Sequence, residues 1–221
     1  MTSRPTLEPT ADGFDTLYSP AYDQTFHSKH GALTEARHVF LQGTGVDARL
    51  AGGLATRVLE VGFGTGLNSL LTARQAAATQ APLHYVALEI TVLPADVLAR
   101  LNHGPLLGAQ DLRQDLLDRR RRLPDVVPPG RYLHSFSETL RLDLVVGNAT
   151  EVRVPDLAYD AVYFDAFSPD ANPELWTASF LARLYAVMRA GGTLATYSAV
   201  GFRVARRPGP PGKREMLVAC R

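Results

Sequence analysis

Residues 57–68 read RVLEVGFGTGLN, and this stretch decides the fold. Its first part, Arg57 to Val61, is a short apolar run of the kind expected for a buried central strand. Three glycines follow within five residues, which predicts a tight turn where the backbone can approach a ligand closely. Leu67 to Ala78 then has a helical pattern, so the N-terminus of this helix would point at the same ligand.

Apolar strands alternate with helical stretches along the rest of the chain. The further predicted strands are His84–Ile90, Leu140–Val146, Ala161–Phe164 and Thr193–Tyr197, and then an antiparallel pair made by Gly201–Val204 and Glu215–Ala219. We predict two helices between Pro94 and Leu123, broken at Gly104-Pro105, and another helix that opens at Pro173 and is closed by Gly191-Gly192. This alternation predicts a doubly wound α/β fold with a mostly parallel sheet.

Composition narrows the class of protein. The chain has 221 residues, enough for one ordinary domain, and a net charge of +1, which does not by itself indicate nucleic-acid binding. Its single cysteine, Cys220, excludes an internal disulfide and a multi-cysteine metal site, and no metal is expected. The first residues do not resemble a signal peptide, and no apolar run reaches the ~18 residues of a membrane span. We therefore expect a soluble, cytoplasmic protein with no membrane partner.

Two carboxylates accompany the glycine loop. Glu60 lies inside the motif, and Glu89 ends the next predicted strand, 25 residues after Gly64. This placement is typical of the acid that accepts the hydroxyls of an adenosine ribose. A NAD-dependent dehydrogenase shares both features, but it would typically show G-x-G-x-x-G, and Leu67 stands here in place of the third glycine. Glu89 could otherwise cap a helix or pair with an arginine.

Residues 60–68, EVGFGTGLN, resemble the motif that binds S-adenosylmethionine (SAM) in class I methyltransferases. The version of the motif in this chain resembles that of the tRNA 5-methylaminomethyl-2-thiouridine methyltransferase family. Members of this family occur alone or fused to an FAD-dependent oxidase. Three further blocks agree with that family: residues 19–41, which begin SPAYDQTFHS, residues 165–176, DAFSPDANPELW, and residues 209–217, GPPGKREML. The block 165–176 is the most specific of them.

The resemblance implies a Rossmann-like class I methyltransferase with a doubly wound, mostly parallel, seven-stranded sheet. It further implies an N-terminal arm, residues 1–50, that packs as a lid on a methyltransferase domain, residues 51–221. The implied activity is SAM-dependent N-methylation of 5-aminomethyl-(2-thio)uridine at the wobble position of tRNA. The implied partners are tRNA and, beyond it, a separate FAD-dependent oxidase or upstream enzymes of wobble-uridine modification.

We expect the cofactor SAM in the crevice beyond the carboxyl ends of the strands. The candidate cofactor-binding residues are Glu60, Gly62, Gly64, Thr65, Gly66, Asn68, Glu89, Asn148, Ala149, Tyr22, His27 and Ser28. Similar enzymes have an aspartate where this chain has Asn148. The Asn148 carbonyl oxygen can accept a hydrogen bond from the adenine amino group, but without the strength that a charge adds. In the arm, Tyr22 and Phe26 could instead be plain anchors.

Asp165, after the fourth predicted strand, is the candidate catalytic residue. An alkylamine is largely protonated at pH 7, judged from the lysine reference of about 10.4, so the site must bind it and let it lose a proton. Asp165 would orient the amine, with proton acceptance left open, or it would only cap the following turn. The candidate substrate-binding residues are Phe167, Ser168, Pro169, Trp176, Lys213 and Arg214. Aromatic rings could stack on the uracil, although Trp176 could equally belong to the core.

Arg119 to Arg122 form a basic run that, given the resemblance, we expect to contact tRNA phosphates; by charge alone it would be a solvated helix face. Two other functions stay open. One is a small-molecule amine methyltransferase or an aminopropyltransferase, although the latter has a more glycine-rich first loop. The other is a non-catalytic RNA-binding or SAM-sensing module, against which Glu89 and Asp165 argue.

The segment after Ser198 is short for this fold. A parallel return to the next predicted strand needs a crossover of roughly a dozen residues, and only Ala199, Val200 and Gly201 precede it. We therefore predict that about 10 to 15 residues are missing between Ser198 and Gly201, with a break in the backbone there.

Overall fold

The computed structural model describes residues 4–197, 205–208 and 215–220, with side chains for 4–197 and 218–220. In this part of the chain no helix is long and apolar enough to cross a membrane. A large sheet lies between two layers of helices, and a small sheet from the N-terminal arm packs at its edge.

Strands and helices are numbered here in chain order. The strands are β1 Thr6–Pro9, β2 Asp15–Ser19, β3 Gln24–Thr25, β4 Thr56–Val61, β5 Leu83–Glu89, β6 Gly130–Ser135, β7 Leu140–Val146, β8 Tyr159–Phe164, β9 Met188–Thr196, β10 Ala205–Pro208 and β11 Glu215–Cys220. The helices are α1 Ala32–Glu35, α2 Val46–Ala51, α3 Leu67–Thr79, α4 Ala95–Ala99, α5 His103–Leu107, α6 Gln110–Arg121 and α7 Ala178–Val187. A π-helical segment, Ala36–Gln42, and a 3-10 turn, Pro173–Trp176, complete the helical elements of the described residues.

The large sheet has the order β10-β11-β9-β8-β4-β5-β7-β6. Strand β4 is parallel to both of its neighbours, β5 and β8, and the parallel pairing continues to β7 on one side and to β9 on the other. The chain thus leaves β4 first in one direction and later in the other. Ligands of such sheets bind where the strand order reverses, beyond the carboxyl end of β4.

The mostly parallel sheet is confirmed, and it contains one strand more than the seven predicted. The additional strand, β6, pairs antiparallel with β7 at the edge of the sheet. Its residues are mostly exposed, so β6 lacks the apolar alternation by which the other strands were predicted. Strand β11 pairs antiparallel with both β9 and β10, which makes β9 and β10 parallel to each other.

Two predicted boundaries are wrong. The stretch from Pro94 to Leu123 forms three helices, because Gly108, with φ +62°, ends one helix and the next begins at Gln110. Gly104-Pro105 lies in the first turn of α5, where proline is tolerated. Gly191-Gly192 lies inside β9, since α7 ends at Val187. The break predicted between Ser198 and Gly201 falls outside the described residues.

Successive residues of β4 face opposite layers of helices, as the pleat requires. Val58 packs in the cluster with α3 and the π-helical segment, whereas Leu59 and Val61 pack in the cluster with α7. Glu60 therefore points toward α3, at its first turn. A third, smaller cluster joins Leu17 of the arm to apolar side chains of α4 and α6, and so fixes the arm over the carboxyl end of the sheet.

Candidate active site

A cavity of about 470 Å³ lies beyond the carboxyl ends of β4, β5 and β8, a size suited to a small molecule. It is where the topology predicts the ligand. The predicted site residues that line it are Tyr22, His27, Gly62, Gly64, Thr65, Asn68, Glu89, Asn148, Ala149, Asp165 and Phe167. The sequence therefore identified most of the loops that meet at this cavity.

The glycine loop brings the ends of β4 and β8 into close approach. Gly62 has φ +94°, and a Cβ atom there would lie 2.6 Å from the carbonyl oxygen of Asp165. No other residue type fits this contact without a backbone shift. Gly64 has φ +53° and donates its N–H to Glu89 Oε2 at 2.9 Å. The loop backbone thus lies directly against the cavity.

Glu89 is held at the end of β5 by backbone donors from two sides. Its Oε2 accepts from Gly64 and its Oε1 accepts from the N–H of Thr91 at 3.0 Å. Burial raises the pKa of the Glu89 carboxyl, and these backbone N–H groups partly offset that effect. A carboxylate fixed in this way at the cavity wall can accept hydrogen bonds from a pair of ligand hydroxyls.

Asn68, in the first turn of α3, ties two carboxyl groups together. Its Nδ2 donates to Glu60 Oε1 at 2.9 Å and to Asp165 Oδ2 at 2.8 Å. Glu60 is fully buried and does not line the cavity; burial raises its pKa to about 8, so it is mainly protonated at neutral pH. The Asn68 amide thereby orients Asp165, whose side chain reaches the cavity wall.

His27 of the arm is wedged between two threonine hydroxyls. Its backbone N–H donates to Thr16 Oγ1 at 3.0 Å, and its Nδ1 lies 3.0 Å from the same oxygen. Its Nε2 lies 3.3 Å from Thr65 Oγ1 in the glycine loop, so the ring bridges the two hydroxyls. His27 thus links the arm to the loop.

The arm also closes on the loop that follows β8. The Gln24 side chain donates to Ser168 Oγ at 2.6 Å and accepts from the Ser168 N–H at 3.2 Å. The Tyr22 ring stacks on Phe167 with centroids 4.4 Å apart, and Phe26 meets the same ring edge-on at 5.2 Å. These contacts hold the arm against the loop that follows β8, beside the cavity.

Several predicted site residues do not line this cavity. Trp176 packs against the Phe164 ring, with centroids 4.6 Å apart, and donates its Nε1–H to the Phe167 carbonyl at 2.9 Å. Trp176 is partly buried against the core, and it supports the loop that follows β8. The other predicted residues without a place on the cavity wall are Glu60, Gly66, Ser28, Ser168 and Pro169. Lys213 and Arg214 lie outside the described residues.

Asn148 lines the cavity with its polar atoms already engaged. Its Oδ1 accepts from both the N–H and the hydroxyl of Thr150, at 3.0 and 2.9 Å, and its Nδ2 donates to Glu151 at 3.0 Å. The predicted bond from adenine to this oxygen therefore requires the release of one Thr150 bond. Within the described part of the chain, no three His, Cys, Asp or Glu residues are placed to hold a metal ion.

The arginine run divides into two kinds of residue. Arg120 is buried and donates to the carbonyl oxygens of Leu93, Leu123, Pro124 and Asp125, so it ties the end of α6 to the loop before α4. The expectation that it contacts tRNA is wrong. The neighbouring side chains, Arg119, Arg121 and Arg122, are exposed.

Sequence reasoning missed several side chains at or beside the cavity, among them Gln24, Phe26 and Tyr197. Gln24 and Phe26 lie in the N-terminal block that carries the family resemblance, which was the available signal. Tyr197, at the end of β9, lines the cavity and donates its hydroxyl to the Ala166 carbonyl at 2.7 Å. Nothing in an apolar strand marks one tyrosine for this contact, since it depends on how β9 lies beside β8.

Known proteins share both the sequence and the fold. A profile of the S-adenosyl-L-methionine-dependent methyltransferase family matches residues 118–221. The tRNA 5-methylaminomethyl-2-thiouridine biosynthesis bifunctional protein MnmC of Cupriavidus metallidurans is 37% identical over 96% of this chain and 33% of that protein. The protein of the same name from Aromatoleum aromaticum is 37% identical over 94% of this chain and 34% of its own length. The chain thus spans about a third of these curated relatives.

A solved structure agrees. The crystal structure of MNMC2 from Aquifex aeolicus matches 99% of this chain and 70% of that chain, with a TM-score of 0.76 and 26% identity. This likeness confirms the predicted Rossmann-like methyltransferase fold. The sequence matches and the fold agree: the chain is similar over residues 118–221 to the S-adenosyl-L-methionine-dependent methyltransferase family and, along most of its length, to a part of the MnmC proteins.

Proposed function

We propose that this chain methylates the side-chain nitrogen of 5-aminomethyl-(2-thio)uridine at the wobble position of tRNA, with SAM as the methyl donor. The observation that carries the proposal is the placement of Asp165. Its carboxylate is held by Asn68 at a cavity that the glycine loop and the Phe167 ring also line. The name of the MnmC relatives supports the same substrate class.

The residues of the cavity fit SAM. Because Gly62 has no Cβ atom, the glycine loop lies against the Asp165 backbone at the cavity, and Glu89 offers a fixed carboxylate for the two ribose hydroxyls. Asn148 and Ala149 line the cavity after β7, where an adenine ring would lie. SAM supplies a methyl group on a sulfonium, which an amine lone pair displaces in line as the carbon–sulfur bond breaks.

Asp165 orients the acceptor in this proposal. A carboxylate stabilises the ammonium form, which cannot attack, so the proton must leave the nitrogen for Asp165 or for water before the methyl is transferred. Asn68 fixes Oδ2 and so fixes the direction from which Asp165 meets the amine. Because Glu60 is mainly protonated at neutral pH, it adds little negative charge beneath the site. Positioning is the main contribution to the rate.

The test is a methylation assay with labelled SAM and tRNA that carries 5-aminomethyluridine, followed by nucleoside analysis. Wild-type protein should produce 5-methylaminomethyluridine. Asp165→Asn should lower kcat by about 100-fold, because the amide cannot take or hold the amine proton, while SAM affinity stays within about twofold. Asp170→Asn, an exposed change in the same loop, is the matched control. An equal loss of rate and of SAM affinity would place Asp165 in the cofactor shell instead.

The tRNA would lie across the end of α6. Arg120 bonds the carbonyl of Leu93, a residue that lines the cavity, so the exposed Arg119, Arg121 and Arg122 lie at the same end of the sheet as the site. Replacing these three by glutamine should flatten the salt dependence of tRNA binding by about 0.7 to 0.9 in log–log slope for each phosphate that these arginines neutralise. An unchanged salt dependence of tRNA binding would show that this end of α6 does not contact tRNA phosphates.

This substrate implies the rest of the setting. We place the reaction in the cytoplasm, with a separate FAD-dependent oxidase or upstream wobble-uridine enzymes as the partners that supply the aminomethyl group. Residues 1–50 would then act as the lid of a methyltransferase domain formed by residues 51–221. Limited proteolysis with and without SAM would test this division, because a lid should gain protection when the cofactor is bound.

A further inference from the structure

A second cavity, of about 390 Å³, adjoins the first one. Phe26, His27 and Tyr197 line both cavities. We propose that the aminomethyl group of the acceptor reaches Asp165 through this second cavity, and that Glu35 is a substrate-positioning residue that draws the cationic amine into it. The inference rests on the proposed function and names the route and the recognition of the acceptor.

The acceptor needs an entrance of its own. An in-line displacement requires the attacking nitrogen on the side of the methyl group that faces away from sulfur, so SAM and the amine approach from different directions. Tyr197 marks the place where the two cavities meet. It donates to the Ala166 carbonyl at 2.7 Å, directly after Asp165, and it also lines the second cavity. A group that enters the second cavity therefore arrives beside Asp165.

The wall of the second cavity selects for a cation. Glu35, the last residue of α1, is 3% exposed, and its Oε1 accepts from the Ser28 N–H at 3.1 Å. Asp23 lies at the exposed rim, in a left-handed conformation with φ +50° that is costly for a residue other than glycine. Among the described residues of the wall the one lysine is Lys29, which is paired with Glu8 at 2.8 Å. An ammonium group is favoured between such carboxylates.

The two carboxylates act on one hydroxyl group. Burial raises the pKa of Tyr197, and the negative charges of Asp165 and Glu35 raise it further. Asp165 lines the first cavity and Glu35 the second, and Tyr197 lines both, so the proposed route runs from one carboxylate to the other past this hydroxyl. Glu35 holds the ammonium on this path, while Asp165 alone meets the nitrogen beside the methyl group.

The experiment compares two tRNAs on the same variants. One carries 5-aminomethyluridine and is the substrate; the other carries plain uridine at that position and acts as a competitive inhibitor without an amine. Glu35→Gln keeps an oxygen for the Ser28 bond and loses the charge. It should raise KM for the substrate by about tenfold and leave Ki for the uridine tRNA and Kd for SAM unchanged. Glu138→Gln, an exposed change before β7, is the matched control and should resemble wild type.

The outcomes separate the two proposals. If wild-type protein does not methylate the aminomethyl tRNA, the proposed function fails. If it does, and Glu35→Gln leaves KM unchanged or weakens both tRNAs equally, the function stands and the route through the second cavity is overturned. If Glu35→Gln does not fold, Asp23→Asn at the exposed rim tests the route through the second cavity instead. It should raise KM about two- to threefold for the aminomethyl tRNA alone, and no difference between the two tRNAs would overturn the inference.

Discussion

The cavity has two walls that are built by different interactions. The sheet wall consists of the glycine loop and the ends of β5 and β8, where backbone atoms and carboxylates are fixed by strand geometry. The arm wall consists of Tyr22, Phe26 and His27, which are held by ring contacts and side-chain hydrogen bonds to residues far away in the sequence. The sheet wall is part of the large sheet, whereas the arm wall packs against it.

This difference predicts that substitutions in the two walls have different effects. A backbone contact in the sheet wall cannot be broken without moving two strands, whereas each contact of the arm wall involves one or two side chains. Changes in the sheet wall should therefore destabilise the fold or weaken SAM binding strongly. Changes in the arm wall should loosen the lid and leave the fold intact.

The largest effect is expected for Gly62→Ala. A Cβ atom would lie 2.6 Å from the Asp165 carbonyl oxygen, which is backbone and cannot rotate away, and φ is +94°. The combined clash and strain should cost roughly 3 kcal/mol or more of unfolding free energy, measured by urea denaturation. Gly53→Ala, also at positive φ but with nothing near its Cβ position, is the control and should cost only about 1 kcal/mol. Equal costs would show that the close approach of β4 and β8 is dispensable.

Glu60→Gln should change how stability depends on pH. The folded pKa of Glu60, about 8, is above its unfolded value of 4.5, so the folded state holds a proton that the unfolded state has released between these values. Stability is thus lost as pH rises through this window. Relative to the variant, the wild-type unfolding constant should grow by up to about tenfold per pH unit there. Thermal unfolding without SAM between pH 5 and 8 measures this, and parallel profiles for the two proteins would contradict it.

Glu89→Ala should leave the fold in place and weaken SAM binding. It removes a charged acceptor for the ribose hydroxyls, a loss of ~1.5–3 kcal/mol in binding free energy by calorimetry. Glu89→Gln should lose part of this amount, because its oxygen can still accept one hydrogen bond. Unchanged affinity in both variants would remove Glu89 from the cofactor site.

The two walls also differ in how far the sequence predicts them. The sheet wall could be predicted, because each of its residues follows an apolar strand directly and the ends of parallel strands meet at one edge. Glu60 was predicted as part of the glycine-loop motif, and the structure places it beneath Asn68, away from the cavity wall. The edge strand β6 and the division of residues 94–123 into three helices were not predicted. Exposed edge strands and short helices show little hydrophobic periodicity in the sequence.

The arm wall could be predicted only as a region. The N-terminal block indicated a lid and included Tyr22 and His27. It did not predict that the Gln24 side chain bonds Ser168, 144 positions away. Such a contact depends on where the whole arm settles on the third cluster. For Trp176 the sequence left substrate contact and a place in the core equally open. Its ring packs beside Phe164, a contact that the motif alone does not specify.

The smallest effect is expected where one contact of the arm wall is removed. Gln24→Ala deletes both bonds to Ser168 and should cost about 1 kcal/mol, with less protection of the β2 and β3 amides from hydrogen exchange. SAM affinity should fall less than about tenfold, since the sheet wall is untouched. Gln114→Ala, which removes an exposed bond to Asp118 on α6, is the matched control. If Gln24→Ala weakens SAM binding as much as Glu89→Ala does, the arm is not a lid but an equal part of the cofactor site, and the division between the two walls fails.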